Sequence, residues 1–255
     1  VIEQYYFSNF PKSSSFLFSS LKNIVSFTFP FIHYRNLKKR AIRERQCMQF
    51  AKYISGRTNW DKNVTSILAP NATYYHLEEI LRPSFYEKKW VQHQNKKLFK
   101  IITVAGDPIY KGIDTIARAS ELLNIFIDFE WVIVGINKES FIYNYIRKKY
   151  RNNRLKFVGN LGEEKLVFEL LSSDLFVSVS NIENSPNNIY EAINIGMPII
   201  CSYVGGTSSL FKNNINNIPF IQNGDYYNLA ALILDLYKDP KKAIKIAENN
   251  FEISK

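Results

Sequence analysis

Cysteine is scarce in this 255-residue chain: there are two, Cys47 and Cys201, far apart and each inside an otherwise regular segment. Two such thiols exclude a disulfide framework and a thiolate metal site, and they fit a reducing compartment. Histidine is scarce as well. His33, His76 and His93 show no metal-ligand spacing, which leaves them as ordinary surface or core side chains. Long apolar runs are missing: a spanning helix needs about 20 clean residues. The most apolar stretch, Phe16 to Ile32, is interrupted by Lys22, several hydroxyls and Pro30, so no membrane-spanning helix is expected. The beginning of the chain has a weak basic region and no small-residue cleavage site, which argues against a signal peptide. Its first residue is Val, so the true N-terminus is expected upstream. Acid is short too, with 23 acidic against 33 basic residues and a net charge of +10. That balance favours anionic partners and says nothing about fold. The lysines are spread along the chain instead of forming one stripe, so nucleic acid is not an expected partner.

What is present is enough for a sizeable core. Hydrophobic residues make up 46% of the chain and aromatics 15%, which suits one or two domains. Residues 1–34 are rich in Phe, Tyr and Ser with no clear period. A basic run follows in helix-forming sequence: Arg35, Lys38, Lys39, Arg40, Arg43 and Arg45, opposed only by Glu44. Two readings stand for it, a solvated helix face and a peripheral contact with anionic lipid. Gly56 to Asp61 reads as a loop, in which Arg57 either lines a cleft or pairs with Asp61. Tyr74-Tyr75 is strand-like, with a short helix after it. Glu87 to Lys100 is polar and basic, including Lys88, Lys89, Lys96 and Lys97, and reads as an interdomain linker.

From Lys100 the pattern becomes regular. Strands are expected at 101–105, 131–136, 155–158, 174–180 and 198–201, with a short last one at 218–221. Helices are expected around Ile113 to Leu123 and over 138–150, 162–171, 188–195, 228–237 and 241–249. Such alternation predicts an α/β fold, a doubly wound parallel sheet with right-handed crossovers. The expected division is 1–95 for a partial N-terminal domain and linker, then 96–255 for the Rossmann-like domain.

Within that domain, Val179 to Pro198 carries two carboxylates, Glu183 and Glu191, on either side of a polar turn that runs into a helix. Asn187 or Asn188 can cap this helix, Gly196 can end it and Pro198 stops it. The first N–H groups of a helix point at whatever lies beyond the strand before it. In an open parallel sheet that edge binds ligands. Donor N–H groups beside hydroxyl-binding carboxylates suit a ligand that has both phosphate and sugar.

The spacing Glu183-x7-Glu191, followed by Ala192, Gly196, Pro198 and Gly205-Gly206, resembles the signature of family-4 retaining GT-B glycosyltransferases, over most of the chain from about Gly56. The resemblance implies that Glu191 holds the ribose hydroxyls and that Glu183 lies near the donor sugar. It also implies that Lys111, in Gly106-Asp-Pro-Ile-Tyr-Lys-Gly112, meets the departing diphosphate as its charge develops. The family usually has a further basic residue in that turn, where this chain has Gly106 and Asp107. Ser185, Asn187 and Asn188 would present backbone N–H groups and small side chains to phosphate and sugar. Gly106, Gly135, Gly159, Asn160 and Leu161 would complete the donor site, with Gly135 and 159–161 bordering the base. Gly205-Gly206-Thr207 would form a flexible turn near the donor. No metal or other cofactor is implied beyond a UDP- or GDP-sugar donor, because no DxD-like pair sits in a suitable loop. The implied acceptor is a surface polysaccharide or lipid-linked glycan, handled in the cytoplasm at the inner membrane face. Residues 1–95 show no comparable series of strands and helices, so the acceptor-side domain is expected to be incomplete. The rival readings are a nucleotide-sugar-binding fragment without turnover, and another GT-B enzyme such as a sugar-nucleotide epimerase.

Overall fold

The computed structural model describes residues 30–78, 80–93, 98–106, 109–150 and 153–253. Most of the Phe16 to Ile32 segment, Lys96, Lys97, Asp107 and Pro108 lie outside the described residues. The chain divides into two compact units, Val1–Glu78 and Glu79–Lys255.

The first unit contains helix α1 (Pro30–Phe50), strand β1 (Tyr53–Gly56), helix α2 (Asn59–Leu68) and strand β2 (Thr73–His76). None of the described side chains of α1, residues 38–50, is buried, which fits both readings of the basic run. β1 and β2 are parallel, with Ile54 opposite Tyr74. One β–α–β unit therefore stands where the sequence showed no such series. Its helix begins with a capping box, a reciprocal arrangement that satisfies two end donors. The Asp61 N–H donates to Thr58 Oγ1 at 3.1 Å, and the Thr58 N–H donates to Asp61 Oδ2 at 3.0 Å. Arg57 meets Asp61 through its backbone N–H, at 2.9 Å, and the Tyr74 hydroxyl donates to the same carboxylate. Burial would raise the Asp61 carboxyl, but these hydrogen bonds outweigh it and leave it below the ordinary range. Among the described residues, no helix is long and apolar enough to cross a membrane.

The second unit opens with a short helix, α3 (Ser84–Glu87). Strand β3 (Phe99–Val104), helix α4 (Ile113–Leu123), β4 (Phe129–Val134), α5 (Phe141–Lys149) and β5 (Leu155–Gly159) follow. Then come α6 (Glu163–Leu171), β6 (Leu175–Ser178), α7 (Asn187–Asn194), β7 (Ile199–Ser202) and β8 (Phe220–Ile221). Two helices, α8 (Tyr226–Lys238) and α9 (Pro240–Ile253), close the described chain. The strands form one sheet in the order β5-β4-β3-β6-β7-β8, and every pairing is parallel. Its central strands are buried on both faces, so β6 and β7 read as continuous apolar runs without alternation. α4 packs on α5 and α8, whereas α7 packs on α9 and α6 on α3. The expected doubly wound parallel sheet is the observed one. At its centre the fully buried Trp131 donates from Nε1 to Thr103 Oγ1 at 3.0 Å, and Thr103 donates to the Val177 carbonyl at 2.7 Å. This chain of bonds ties β4, β3 and β6 together and satisfies the polar atoms they bury.

The stretch read as a linker behaves differently. Trp90 is 5% exposed; its N–H donates to the Ile195 carbonyl at 2.7 Å and its Nε1 to the Ser173 carbonyl at 2.8 Å. His93 bonds the Leu171 carbonyl at 2.7 Å. The first half of the polar run is thus anchored on the second unit by its one large aromatic, and the boundary falls earlier, after Glu78.

Gly112 starts α4 at φ +72, and a β-carbon there would overlap the Val179 carbonyl oxygen. Gly112→Ala is therefore expected to lower stability by about 2 kcal/mol, from left-handed strain plus forced movement of the neighbouring loop. A lower urea midpoint at unchanged slope would show it.

Candidate functional site

The strand order places a switch between β3 and β6. From β3 the chain moves outward through β4 and β5, then returns to β6 and continues the other way through β7 and β8. In open parallel sheets ligands bind beyond the strand ends where the order reverses, which nominates the loops that leave β3 and β6. Lys111 comes from the loop after β3 and Glu183 from the loop after β6. Their side chains meet, Lys111 Nζ donating to Glu183 Oε1. Ser180 Oγ donates to the same oxygen at 2.7 Å.

Backbone contacts fix the two loops. The Asn181 N–H donates to the Tyr110 carbonyl at 2.6 Å, and Gly112 lies against Val179. On the far side, the Gly206 N–H donates to the Glu183 carbonyl at 3.0 Å. Gly205 has φ +50, and a β-carbon there would overlap that same carbonyl. The glycine pair is a close-packed brace, not the flexible turn read from its composition.

The motif helix begins one residue away from where a cap was expected. Pro186 takes the N-cap position and makes no side-chain cap bond, because proline offers no acceptor there. Asn188 instead donates from Nδ2 to the Val104 carbonyl at 2.6 Å, tying α7 to the end of β3. Asn187 is the first helical residue and is exposed. Gly196, at φ +72, follows the last turn as expected for a helix stop. Ser185 Oγ and Thr207 Oγ1 are buried hydroxyls without a partner, the first in the same loop as Glu183 and the second just after the Gly205-Gly206 pair. Buried hydroxyls are normally bonded, and these two are not.

Glu191 lies one turn into α7, on the side it shares by three- and four-residue spacing with Asn187, Asn188 and Asn194, and is itself 9% exposed. Its Oε1 accepts from Arg82 at 2.7 Å. Burial raises the Glu191 carboxyl above its ordinary value, and nearby Glu163 adds to this, while the Arg82 hydrogen bond and charge pull it down. The remaining candidates line the same sheet edge. Gly106 follows β3; Gly135 follows β4 at φ +95, against Ala105, and its N–H donates to the Gly159 carbonyl at 2.7 Å. Gly159 ends β5 at φ +69, with Asn160 and Leu161 after it. Lys111, Glu183, Ser185 and Asn188 thus gather around the switch, whereas Gly135 and 159–161 sit at the outer strands.

Two side chains escaped the sequence reading. Ser180 is a small residue at a strand end, and only its approach to Glu183 distinguishes it. Arg82 precedes Pro83 in a stretch with no recognisable motif, and its partner is 109 residues away. Among the described residues, no group of three His, Cys, Asp or Glu could hold a metal ion.

Comparisons with known proteins fit this architecture. The family model described as "Glycosyl transferases group 1" matches residues 84–252, about two thirds of the chain. Comparison with curated protein sequences gives no match. Among solved structures, the chain is similar to sucrose-phosphate synthase from Thermosynechococcus elongatus, with TM-score 0.73 and 18% identity over 85% of this chain and 57% of that one. It is similar to HepE of Anabaena in complex with UDP and glucose, with TM-score 0.69 and 17% identity over 82% of this chain and 59% of that one. The C-terminal domain of the group 1 family protein LpcC from Francisella tularensis gives TM-score 0.55 and 18% identity, covering 65% of this chain and 92% of that domain. The chain spans less than two thirds of the first two structures, and identities this low speak for the shared GT-B fold alone. The family match is of a different order: the chain belongs to the glycosyl transferases group 1 family.

Proposed function

We propose that the second unit binds a UDP- or GDP-sugar at the switch point beyond the ends of β3 and β6, and that the protein transfers the sugar with retention of configuration, as family-4 enzymes do. The observation that carries this is the meeting of Lys111 and Glu183 across the switch point, with Glu191 one turn along α7. Each group has a distinct task. The Glu191 carboxylate accepts hydrogen bonds from the ribose hydroxyls. Lys111 is a fixed cation for the diphosphate, worth most as the leaving group gains charge. Glu183, held by Lys111 and Ser180, faces the sugar. The unpartnered hydroxyls of Ser185 and Thr207 supply further polar contacts. In this reading Lys111 does the work that a bound metal does in other transferases, and no metal is required. HepE, a structural neighbour, is described in complex with UDP and with UDP-glucose, which supports a uridine nucleotide as the first one to try. The proposed acceptor is a surface-polysaccharide or lipid-linked glycan at the inner face of a membrane.

Calorimetric titration with UDP, GDP and ADP tests the donor site. One nucleotide is expected to bind in preference to the others; absence of heat from all three would overturn the reading for this unit.

A further inference from the structure

Glu191 presents a problem that the donor site alone does not solve. A carboxylate this buried loses most of its solvation and needs a partner to stay useful as an acceptor. The partner comes from the segment just before α3. Arg82 donates from one terminal nitrogen to Glu191 Oε1 at 2.7 Å. Its guanidinium is itself fixed: it lies 4.9 Å from the centre of the Phe85 ring, and its Nε is 3.9 Å from Glu163 Oε2. Ser84 bonds Glu163, and Asn194, on the same helix as Glu191, donates to the Phe85 carbonyl at 2.6 Å. The arginine is thus built into the α3, α6 and α7 junction.

The contact is end-on. Arginine can grip a carboxylate with two parallel bonds, but here it takes Oε1 alone. Oε2 carries no hydrogen bond among the described residues. An ionised carboxylate has about four acceptor positions, so roughly three remain for a ligand's hydroxyls. We propose that Arg82 is a positioning residue of the donor site, holding Glu191 from one oxygen so that the other receives the hydroxyls of the nucleotide ribose. The proposal rests on the donor-site reading above and extends it to a residue outside the Glu-x7-Glu segment.

The pH dependence follows from the same geometry. The charged groups acting on Glu191 are Arg82 and, from α6, Glu163. The residues of α9 that meet the end of α7, namely Ala247, Asn250 and Phe251, are neutral. Without Arg82, burial and Glu163 both push the carboxyl upward and nothing opposes them. Nucleotide binding in the variant should therefore fade at a higher pH, as the pH falls, than it does in the parent.

The test is calorimetry with UDP, or GDP if the parent prefers it, on Arg82→Leu, Arg82→Lys and Arg82→Gln, each checked for cooperative unfolding. Arg82→Leu is expected to weaken binding about tenfold near neutral pH and further toward pH 6, while Arg82→Lys keeps most of the affinity. Should the leucine variant not fold, Arg82→Gln, which keeps a donor and loses the charge, gives the same pH trend. In a Glu191→Gln background, Arg82→Leu is expected to add less than about twofold, because both changes act on one contact. Unchanged or tighter binding in Arg82→Leu, the sign of a latch that the ribose must displace, would overturn the proposal. So would an undiminished loss in the Glu191→Gln background. If the parent binds neither nucleotide, the donor-site reading fails first and takes this assignment with it.

Discussion

Lys111→Met is expected to lower the rate of sugar transfer by about 10²- to 10³-fold, the usual size of effect when one preorganised charge facing the transition state is removed. Methionine keeps much of the length and packing of the lysine stem and removes only the cation. The side chain is 16% exposed and set between the loops after β3 and β6, so its charge acts at short range and with little screening by water. In the free protein that charge is met by Glu183. A diphosphate arriving at the switch point brings a second, stronger anion to the same nitrogen, and the demand rises as the bond to the sugar breaks. The loss should therefore fall mainly on turnover, not on affinity for the intact donor. Release of nucleotide from its sugar donor, measured with donor both limiting and saturating, separates the two. An equal loss in binding and none in turnover would mean that Lys111 only anchors the ground state.

Glu191→Ala is expected to weaken nucleotide binding at least tenfold, about 1.4 kcal/mol. The buried carboxylate is held by Arg82, an arrangement that does little for stability but leaves acceptor positions for a ligand. Losing it leaves two ribose hydroxyls without partners in a site where water is displaced, and leaves Arg82 without its anion. Glu191→Gln keeps the shape and one acceptor, so it should lose less. An alanine variant that folds and binds as tightly as the parent would remove Glu191 from the site.

Much of the second unit could be read from its residues. The strands at 101–104, 131–134 and 175–178 are apolar runs bounded by polar residues, and a parallel sheet buried on both faces demands such runs. The edges were less legible. β4 begins at Phe129 and ends at Val134, earlier at both ends than expected. Glu130 looks unlike a strand residue, yet it lies opposite Lys100 in the pairing with β3, while Gly135 turns the chain at φ +95. The cap position also fell elsewhere: the helix starts at Asn187, so Asn188 lies inside it, its Oδ1 accepting the Ile189 N–H at 2.9 Å and its Nδ2 bonding the Val104 carbonyl.

The site was legible only where chemistry follows local spacing. Glu183 and Glu191 stand eight residues apart, and Lys111 shares a turn with Gly112, so sequence could nominate all three. Contacts between distant segments left no such trace. Arg82 meets Glu191 across 109 residues, and Trp90, in a stretch polar enough to pass for a linker, turned out to be an anchor. In the first unit the Thr58-x-x-Asp61 box was readable in principle, since a hydroxyl followed three residues later by an acid is a helix-start pattern. The loop reading of Gly56 to Asp61 concealed it.

The most direct measurement is a crystal structure with UDP, or whichever nucleotide binds tightest in calorimetry. The ribose is expected within hydrogen-bonding distance of the Glu191 carboxylate and the diphosphate against Lys111, at the loops that leave β3 and β6. A nucleotide bound elsewhere on the sheet, or at those loops with its ribose away from Glu191, would contradict the proposed donor site.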